Sequence, residues 1–463
     1  MDLPVSDDAG LAAALTSAAP GDRILLAPGQ YGGGIFRSGL SGITLTSQDP
    51  ANPAVLDAGG SGEVLHLSSV SDITIEHLVF QNYAANGINI DDSGNWPAGA
   101  STNITLRDIV VRNDIAPGSN NDGIKLSGVD GFHIDRVQVS NWGTGGSAID
   151  PVGCHNGVIE NSTFSHAALS SGSGVRPKGG SADIRILANL VALNAGRAIQ
   201  AGGSTGTPFF RFPPGESDYE AARIVAAGNI IVGGQSAVSW VNIDGGEFRY
   251  NAIAQPDRWV MRMLNENVGT AIVETQNGSF ADNIVVFDNG LSRISNNDGP
   301  GVLEETFSFA RNTWYNADSG GPAGASALQL PAAETDGLYG VDPQLDPGAA
   351  QRIATPWGLW IVNPHLAGAT VPIPEPATLS LATPGVGAAF DPLAANPLSG
   401  SWSFTPAPPN QAIAAQSQAV LMLTELIDDG TDPVAVPAVS GLLAAMMTAL
   451  LASAAWLARR VQR

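Results

Sequence analysis

The chain has 463 residues, 44% hydrophobic and only 14% charged, with 55 Gly and 31 Pro. That balance excludes intrinsic disorder, which needs low hydrophobicity and high charge, and suits a turn-rich β protein with a large core. Forty-three acidic against 21 basic residues, a net charge of −22, argue against a nucleic-acid partner, and the single cysteine, Cys154, excludes an internal disulfide framework.

Residues 1–20 predict a capping helix through "LAAALTSAAPGD", with Asp7 or Asp8 as its N-cap and a stop at Pro20-Gly21. The stretch lacks the basic start and apolar run of a secretory leader.

From residue 21 to 345 a repeat takes over. Segments such as "ITIEHLVF", "ITLRDIVV", "FHIDRVQV", "GVIENSTF", "IRILANLV" and "SFADNIVV" share an apolar strand, a polar residue and a second apolar pair. Aligned on the polar residue, they register His77, Asp108, Arg136, Asn161, Asn189, Asn229, Asn251, Asn283 and Asn312 at spacings of 22 to 40 residues. Such an irregular period predicts a solenoid whose coils are short strands stacked in parallel. The Asn-rich position reads as an inward ladder that satisfies turn backbone groups.

A second strand recurs in each coil, as "GINI", "GIKL", "AIDPV", "GVRPK", "AIQAG" and "AVSWV". With Ile88, Ile124, Ile149, Val175, Ile199 and Val238 pointing inward, period two turns Asn89, Lys125, Asp150, Arg176, Gln200 and Ser239 outward. Lys125, Asp150 and Arg176 should therefore stack, and such a ladder of alternating sign is an ordinary structural device as well as a candidate site. Lys178 lies on the same face two residues past Arg176, with Val152 and Gly202 as its expected column neighbours and no carboxylate beside it. Gly179-Gly180 and the stacked Pro151 and Pro177 predict a rigid, low floor under two projecting cations.

The longest gap in the repeat holds "GGSTGTPFFRFPPGESDYEAA", with Phe209, Phe210, Arg211, Phe212 and Tyr219. It reads either as the wall of a sugar cleft, using aromatic faces and a carboxylate-binding guanidinium, or as a plug over a coil junction. Cys154 and His155 adjoin and should face opposite ways, so they form no nucleophile–base pair. His133, His155 and His166 show no metal-ligand spacing, and no metal site is expected.

Residues 346–433 are rich in Pro, Ala, Gly and Ser and predict a spacer, with one helix over "AAQSQAVLMLTELIDD" as an option. Val434–Ala458 carries no charge and is followed by Arg459, Arg460 and Arg463. This predicts a transmembrane helix over 434–458 and a basic cytoplasmic tail over 459–463. The earlier "PEPATL" is no second anchor, because Pro384, Asp391 and Pro392 follow it. The tail resembles bacterial C-terminal sorting tails, which implies export, anchoring at the membrane or cell surface, and a sorting protease as partner. Export needs a leader, so one is expected upstream of this start.

The coil pattern and the opening helix through "PGDRILLAPGQY" resemble the right-handed parallel β-helix of the pectate-lyase-like superfamily, over roughly residues 8–345. That implies an all-β solenoid whose function is open, since the fold serves lyases, hydrolases and adhesins. "VRPKGGSADI" with "ALNAGRAIQAGG" looks similar to two successive coils of the chondroitinase-B and alginate-lyase family. The resemblance implies β-elimination on an acidic polysaccharide, with Lys178 as base and Arg176 and Asp150 beside it. Ca2+ would be the family's cofactor, but its acidic ligands are replaced here by Gly172 and Gly174, and the family's second cation falls near Gln200, for which Arg197 or Arg211 could substitute. "NNDGI" and Arg176-Pro177-Lys178 are also similar to polygalacturonase-type motifs, implying an inverting hydrolase with Asp122 and Asp150 as the carboxylate pair. Lys125, His155, Arg197, Gln200, Phe210, Arg211 and Asp122 complete the expected substrate contacts. A non-catalytic glycan-binding protein or adhesin is the remaining alternative.

Overall fold

Apolar residues that alternate with polar ones, broken by turn residues every few positions, fold into coils of three short strands. The computed structural model describes residues 1–113, 115, 120–166, 171–203, 205–295 and 300–341, and the backbone of 351–355 and 358–362. Every third strand joins the same sheet, giving parallel sheets of 13, 12 and 10 strands. The first sheet runs from Asp2–Val5 to Glu334–Thr335, the second from Gln30–Gly32 to Leu338–Tyr339, and the third from Ile35–Ser38 to Arg293–Ser295. The chain is an all-β, right-handed parallel β-helix, the hand that twisted parallel crossovers take. A continuous column of buried Ile, Val, Leu and Phe runs between the sheets.

The helix Asp8–Ser17 caps this column with Leu11, Ala14 and Leu15, and Asp7 is its N-cap, accepting the Gly10 N–H at 2.7 Å. A strand the sequence reading did not contain, Asp2–Val5, precedes it and pairs with Arg23–Leu26. Four residues at a terminus are too few to show a period.

The asparagine ladder is present, with one correction to its register. The N–H groups of Asn189, Asn229, Asn251 and Asn283 donate to the side-chain oxygens of Asn229, Asn251, Asn283 and Asn312 at 2.9–3.0 Å. Each of these amides is buried and also donates to a backbone carbonyl, which satisfies both partners where water is excluded. Asn161 is not on this ladder. Glu160 pairs with Leu187, so Asn161 shares its rung with Ala188, both with φ of +51°, and Ser162 faces Asn189 instead. His77, Asp108, Arg136 and Asn161 form a column of left-handed turns one residue before the ladder. Two adjacent polar columns look alike in sequence, and the alignment slipped between them.

Residues 351–355 and 358–362 pair as two antiparallel strands. The rest of the expected spacer over 346–433, the expected helix over 434–458 and the basic tail over 459–463 lie outside the described residues. Among the described residues no helix is long and apolar enough to cross a membrane.

Candidate functional site

The outward column of the third sheet has the expected order. Asn89 pairs with Lys125 and Lys125 with Asp150, while the Ile149–Val175 and Val175–Ile199 pairs set Arg176 and Gln200 on the next two rungs. Gln200 then pairs with Ser239 and Ser239 with Arg262, which carries the column one cation further than the sequence reading took it. The strand Ser173–Val175 ends before Pro177, which has no N–H to give. The chain nevertheless stays extended: Arg176 and Lys178 donate to the carbonyls of Ile149 and Pro151 at 3.0 Å, and Pro177 accepts from Gly202 at 2.8 Å. Val152 bridges Lys178, as its column position requires.

The side chains do not project freely, and this corrects the expected pair of open cations. Asp150 is fully buried and gathers three cations: Lys125 Nζ on Oδ2, with Arg176 Nε at 3.2 Å and Lys178 Nζ at 3.3 Å from Oδ1. Lys178 therefore does have a carboxylate beside it. Its ammonium reaches diagonally over one rung, a span a long side chain can cover. Both Arg176 and Lys178 side chains retain 14% exposure and Lys125 25%, so this is a recessed cluster with its cationic tops still reachable from solvent. Asp122 is buried on the flank. Its Oδ1 accepts the Ser147 N–H at 2.7 Å and its Oδ2 lies 3.3 Å from Lys125 Nζ.

Burial and charge divide these groups. Burial opposes the charge on Asp150, but Lys125, Arg176 and Lys178 outweigh it and hold the carboxyl well below the usual range. Burial together with the Asp150 charge pushes Asp122 up to about 6, against the pull of Lys125. Burial lowers Lys178, Asp150 opposes that, and Arg176 and Lys125 add to it, for a net depression. Arg176 and Lys125 are raised, because the two carboxylates overcome the cost of burial.

The Asp122 shift carries a pH signature. Its folded pKa lies above the unfolded value of 3.8, so between about pH 4 and 6 the folded chain holds the extra proton and stability falls as pH rises. Asp150, shifted downward, acts below that window. The stability difference between wild type and Asp122→Asn should therefore fall by roughly 2–3 kcal/mol from pH 4 to 7 in urea titrations. A flat difference would place the Asp122 carboxyl in water.

The insertion after Gly202 is seated as a clasp. Arg211 is buried and donates to both oxygens of Asp92 at 2.6 and 2.8 Å. It lies across the turns at Gly128, Gly153 and Gly180, where a Cβ would come within 2.9, 2.5 and 2.3 Å of Arg211 atoms. All three glycines have positive φ, so side chains are doubly disfavoured there. Trp96 Nε1 donates to the Phe212 carbonyl at 2.8 Å, and Tyr219 is buried against Phe212. Of the two readings of this loop, the plug describes most of it. Phe210 is half-buried against Phe212, and Phe209, 59% exposed, is the ring left to solvent. Asp92→Ala should release the insertion, read as protease cleavage between 203 and 220 under conditions that leave wild type intact. Resistance equal to wild type would mean that the aromatic contacts alone hold it.

Three expected substrate contacts are corrected by burial. Arg211 is committed to Asp92. His155 is buried under the Trp96 ring, its Nε2 within 3.0 and 3.2 Å of the Gly180 and Arg211 carbonyls, and burial lowers its pKa. Gln200 is buried with its amide bonded to the Gly202 carbonyl and its oxygen accepting from Ser173. Arg197, one coil beyond Ser173, donates to the Ser171 carbonyl, while its Nε has no partner; burial, then Arg262 and Arg176, lowers it to about 10. Cys154 faces the core and burial pushes its thiol up to about 12, so it is no nucleophile.

Glu220, which the sequence reading missed, is fully buried. It accepts from the Gly179 N–H, from both donors of Thr205 and from Asn267, and so ties the turn after Lys178 to the insertion. Only the shared gap in the repeat hinted at it. Two clefts of about 590 and 570 Å3 lie elsewhere, one beside Phe36 and the capping helix and one near Leu328, and neither includes the cation cluster.

No protein-family model matches the chain, and no curated protein does. Among solved structures the chain is similar to the PL6 family alginate lyase AlyGC, at 14% identity and TM-score 0.35 over 78% of this chain and 55% of the other, so it spans about half that enzyme's length. It is also similar to the mannuronan C-5 epimerase AlgE6 A-module of Azotobacter vinelandii, at 12% identity and TM-score 0.46 over 73% and 96% of the two chains. A third is the family 28 exopolygalacturonase of Yersinia enterocolitica, at 16% identity and TM-score 0.39 over 68% and 66%. Each is a likeness of coil architecture. By its own strand order the chain is a right-handed parallel β-helix.

Proposed function

We propose that the chain is a carbohydrate-active β-helix protein that binds a polymer rich in uronic acids on its third sheet and cleaves it by β-elimination. The observation that supports this is the gathering of Lys125, Arg176 and Lys178 on one buried carboxylate in a chain of net charge −22. Two anions, Asp150 and Asp122, among three cations still leave the cluster net positive at neutral pH, and a sugar carboxylate is a ligand of the matching sign.

The chemistry assigns a role to each group. Arg176 neutralises the uronate carboxylate, which makes the proton on C5 more acidic. Lys178, depressed by burial, takes that proton in its neutral form. The C5–H electrons become the C4=C5 double bond, the bond from C4 to the leaving oxygen breaks, and the Lys178 ammonium returns a proton to that oxygen. Asp150 positions both cations from below. The hydrolase alternative loses support here, because Asp150 is sealed beneath its three partners and inverting hydrolysis needs a carboxylate that reaches water.

The domain limits at 20, 345, 433 and 458, export, anchoring through 434–458 and a sorting protease acting on the tail are parts of the same reading. They rest on the sequence pattern.

The test is incubation with a panel of uronate polymers, following unsaturated-product absorbance and reducing ends separately. Absorbance with matching reducing ends supports elimination. Reducing ends alone would return the hydrolase, and binding without either would leave a glycan-binding protein.

A further inference from the structure

The first sheet carries a cluster that the cation site does not use. His133 and Asp135 lie on the outer face of the strand Val129–Asp135, and Glu160 ends the next strand in register with Asp135. One donor atom from each of the three lies within 4.8 Å of the others. Glu160 is almost fully buried, yet its Oε2 has no hydrogen-bond partner, while Oε1 meets His133 Nε2 at 2.7 Å. An unpaired carboxylate oxygen in that setting is costly. Neighbouring charge does not settle it. Asp135 beside it is a second acid, and the nearby Arg136 is engaged with Asp108 and Asp135.

We propose that His133, Asp135 and Glu160 form a binding site for a divalent transition-metal ion. One imidazole nitrogen and two carboxylate oxygens are the donor set that Zn2+ and its neighbours accept, at about 2.0–2.2 Å per bond. Donors up to 4.8 Å apart must draw together by roughly 1 Å or more to meet that geometry, which side-chain rotation of His133 and Glu160 can supply. The ion replaces the His133–Glu160 hydrogen bond, gives Glu160 Oε2 the partner it lacks, and leaves solvent to complete its coordination on the open side of His133. Arg136 and Asn161, which hold the two Asp135 oxygens, act as the outer support that orients this ligand. The ligands come from two successive coils, 25 and 27 residues from Glu160, so no short sequence motif could announce them.

The test uses the full chain after chelator treatment, titrated with Zn2+ by calorimetry and by melting, and with Co2+ by visible absorption. One-site binding, a raised melting temperature and a Co2+ absorption band of low coordination number are expected. His133→Ala, at a partly exposed position, and Glu160→Gln, of equal size, should each abolish the site or weaken it at least tenfold, while their metal-free melting shows whether they fold. Wild type that shows no melting change with excess Zn2+, or variants that bind as wild type does, would overturn the proposal.

Discussion

Asp150→Ala is expected to lower the unfolding free energy by about 3–5 kcal/mol, the range for stripping one partner from a buried ion pair. The carboxylate has no exposure and is the shared counter-ion of Lys125, on the rung before it, and of Arg176 and Lys178, both on the rung after it. Without it Lys125 from one side and Arg176 and Lys178 from the other converge on a middle rung that offers no counter-charge, with adjacent strands about 4.8 Å apart, in a recess that solvent reaches only in part. Asp122 cannot take over, because its oxygens already serve the Ser147 N–H and Lys125. Asp150→Asn keeps the shape and should recover part of the loss, and added salt should recover more. Urea titration measures this. A change under about 1 kcal/mol for the alanine variant would mean that the cations turn outward freely and that the recess does not constrain them.

The column of which Asp150 is part was readable from the sequence because period two and the coil repeat fix where each Cα lies. Lys125, Asp150, Arg176, Gln200 and Ser239 occupy the predicted rungs. The ends of the side chains were not readable. Lys178 sits in the column of Val152, but its four methylenes carry the charge two residues back and one rung across, to Asp150. Arg211 and Asp92 are 119 residues apart with no shared period, so nothing in the repeat joins them. Gly128, Gly153 and Gly180 did carry a signal, a stack of residues without side chains at equivalent turns, and such a bare strip invites something to lie on it. The Asn161 slip has the same root: pattern locates a polar column to within one residue, and only the ladder hydrogen bonds decide between neighbours.

Lys178→Ala should reduce kcat on a uronate polymer by roughly 10²–10⁴-fold while leaving the fold intact, the usual yield of a positioned general base. A loss alone would not separate a base from a structural cation, so the pH profile must. Burial depresses the Lys178 pKa, Asp150 is the largest influence that raises it, Arg176 and Lys125 depress it further, and Asp122 raises it less. A neutral amine is the active form, so wild-type activity should rise with pH until Lys178 is deprotonated. Removing the charge in Asp150→Asn lowers that pKa again and should move the rising limb toward lower pH, provided the variant is assayed where it remains folded. Lys178→Arg keeps the charge and the contact with Asp150 but cannot lose its proton, so it should restore stability and not turnover. A rising limb that stays in place in Asp150→Asn, or an arginine variant with full activity, would assign the proton transfer to another group and leave Lys178 as part of the floor that holds the sugar acid.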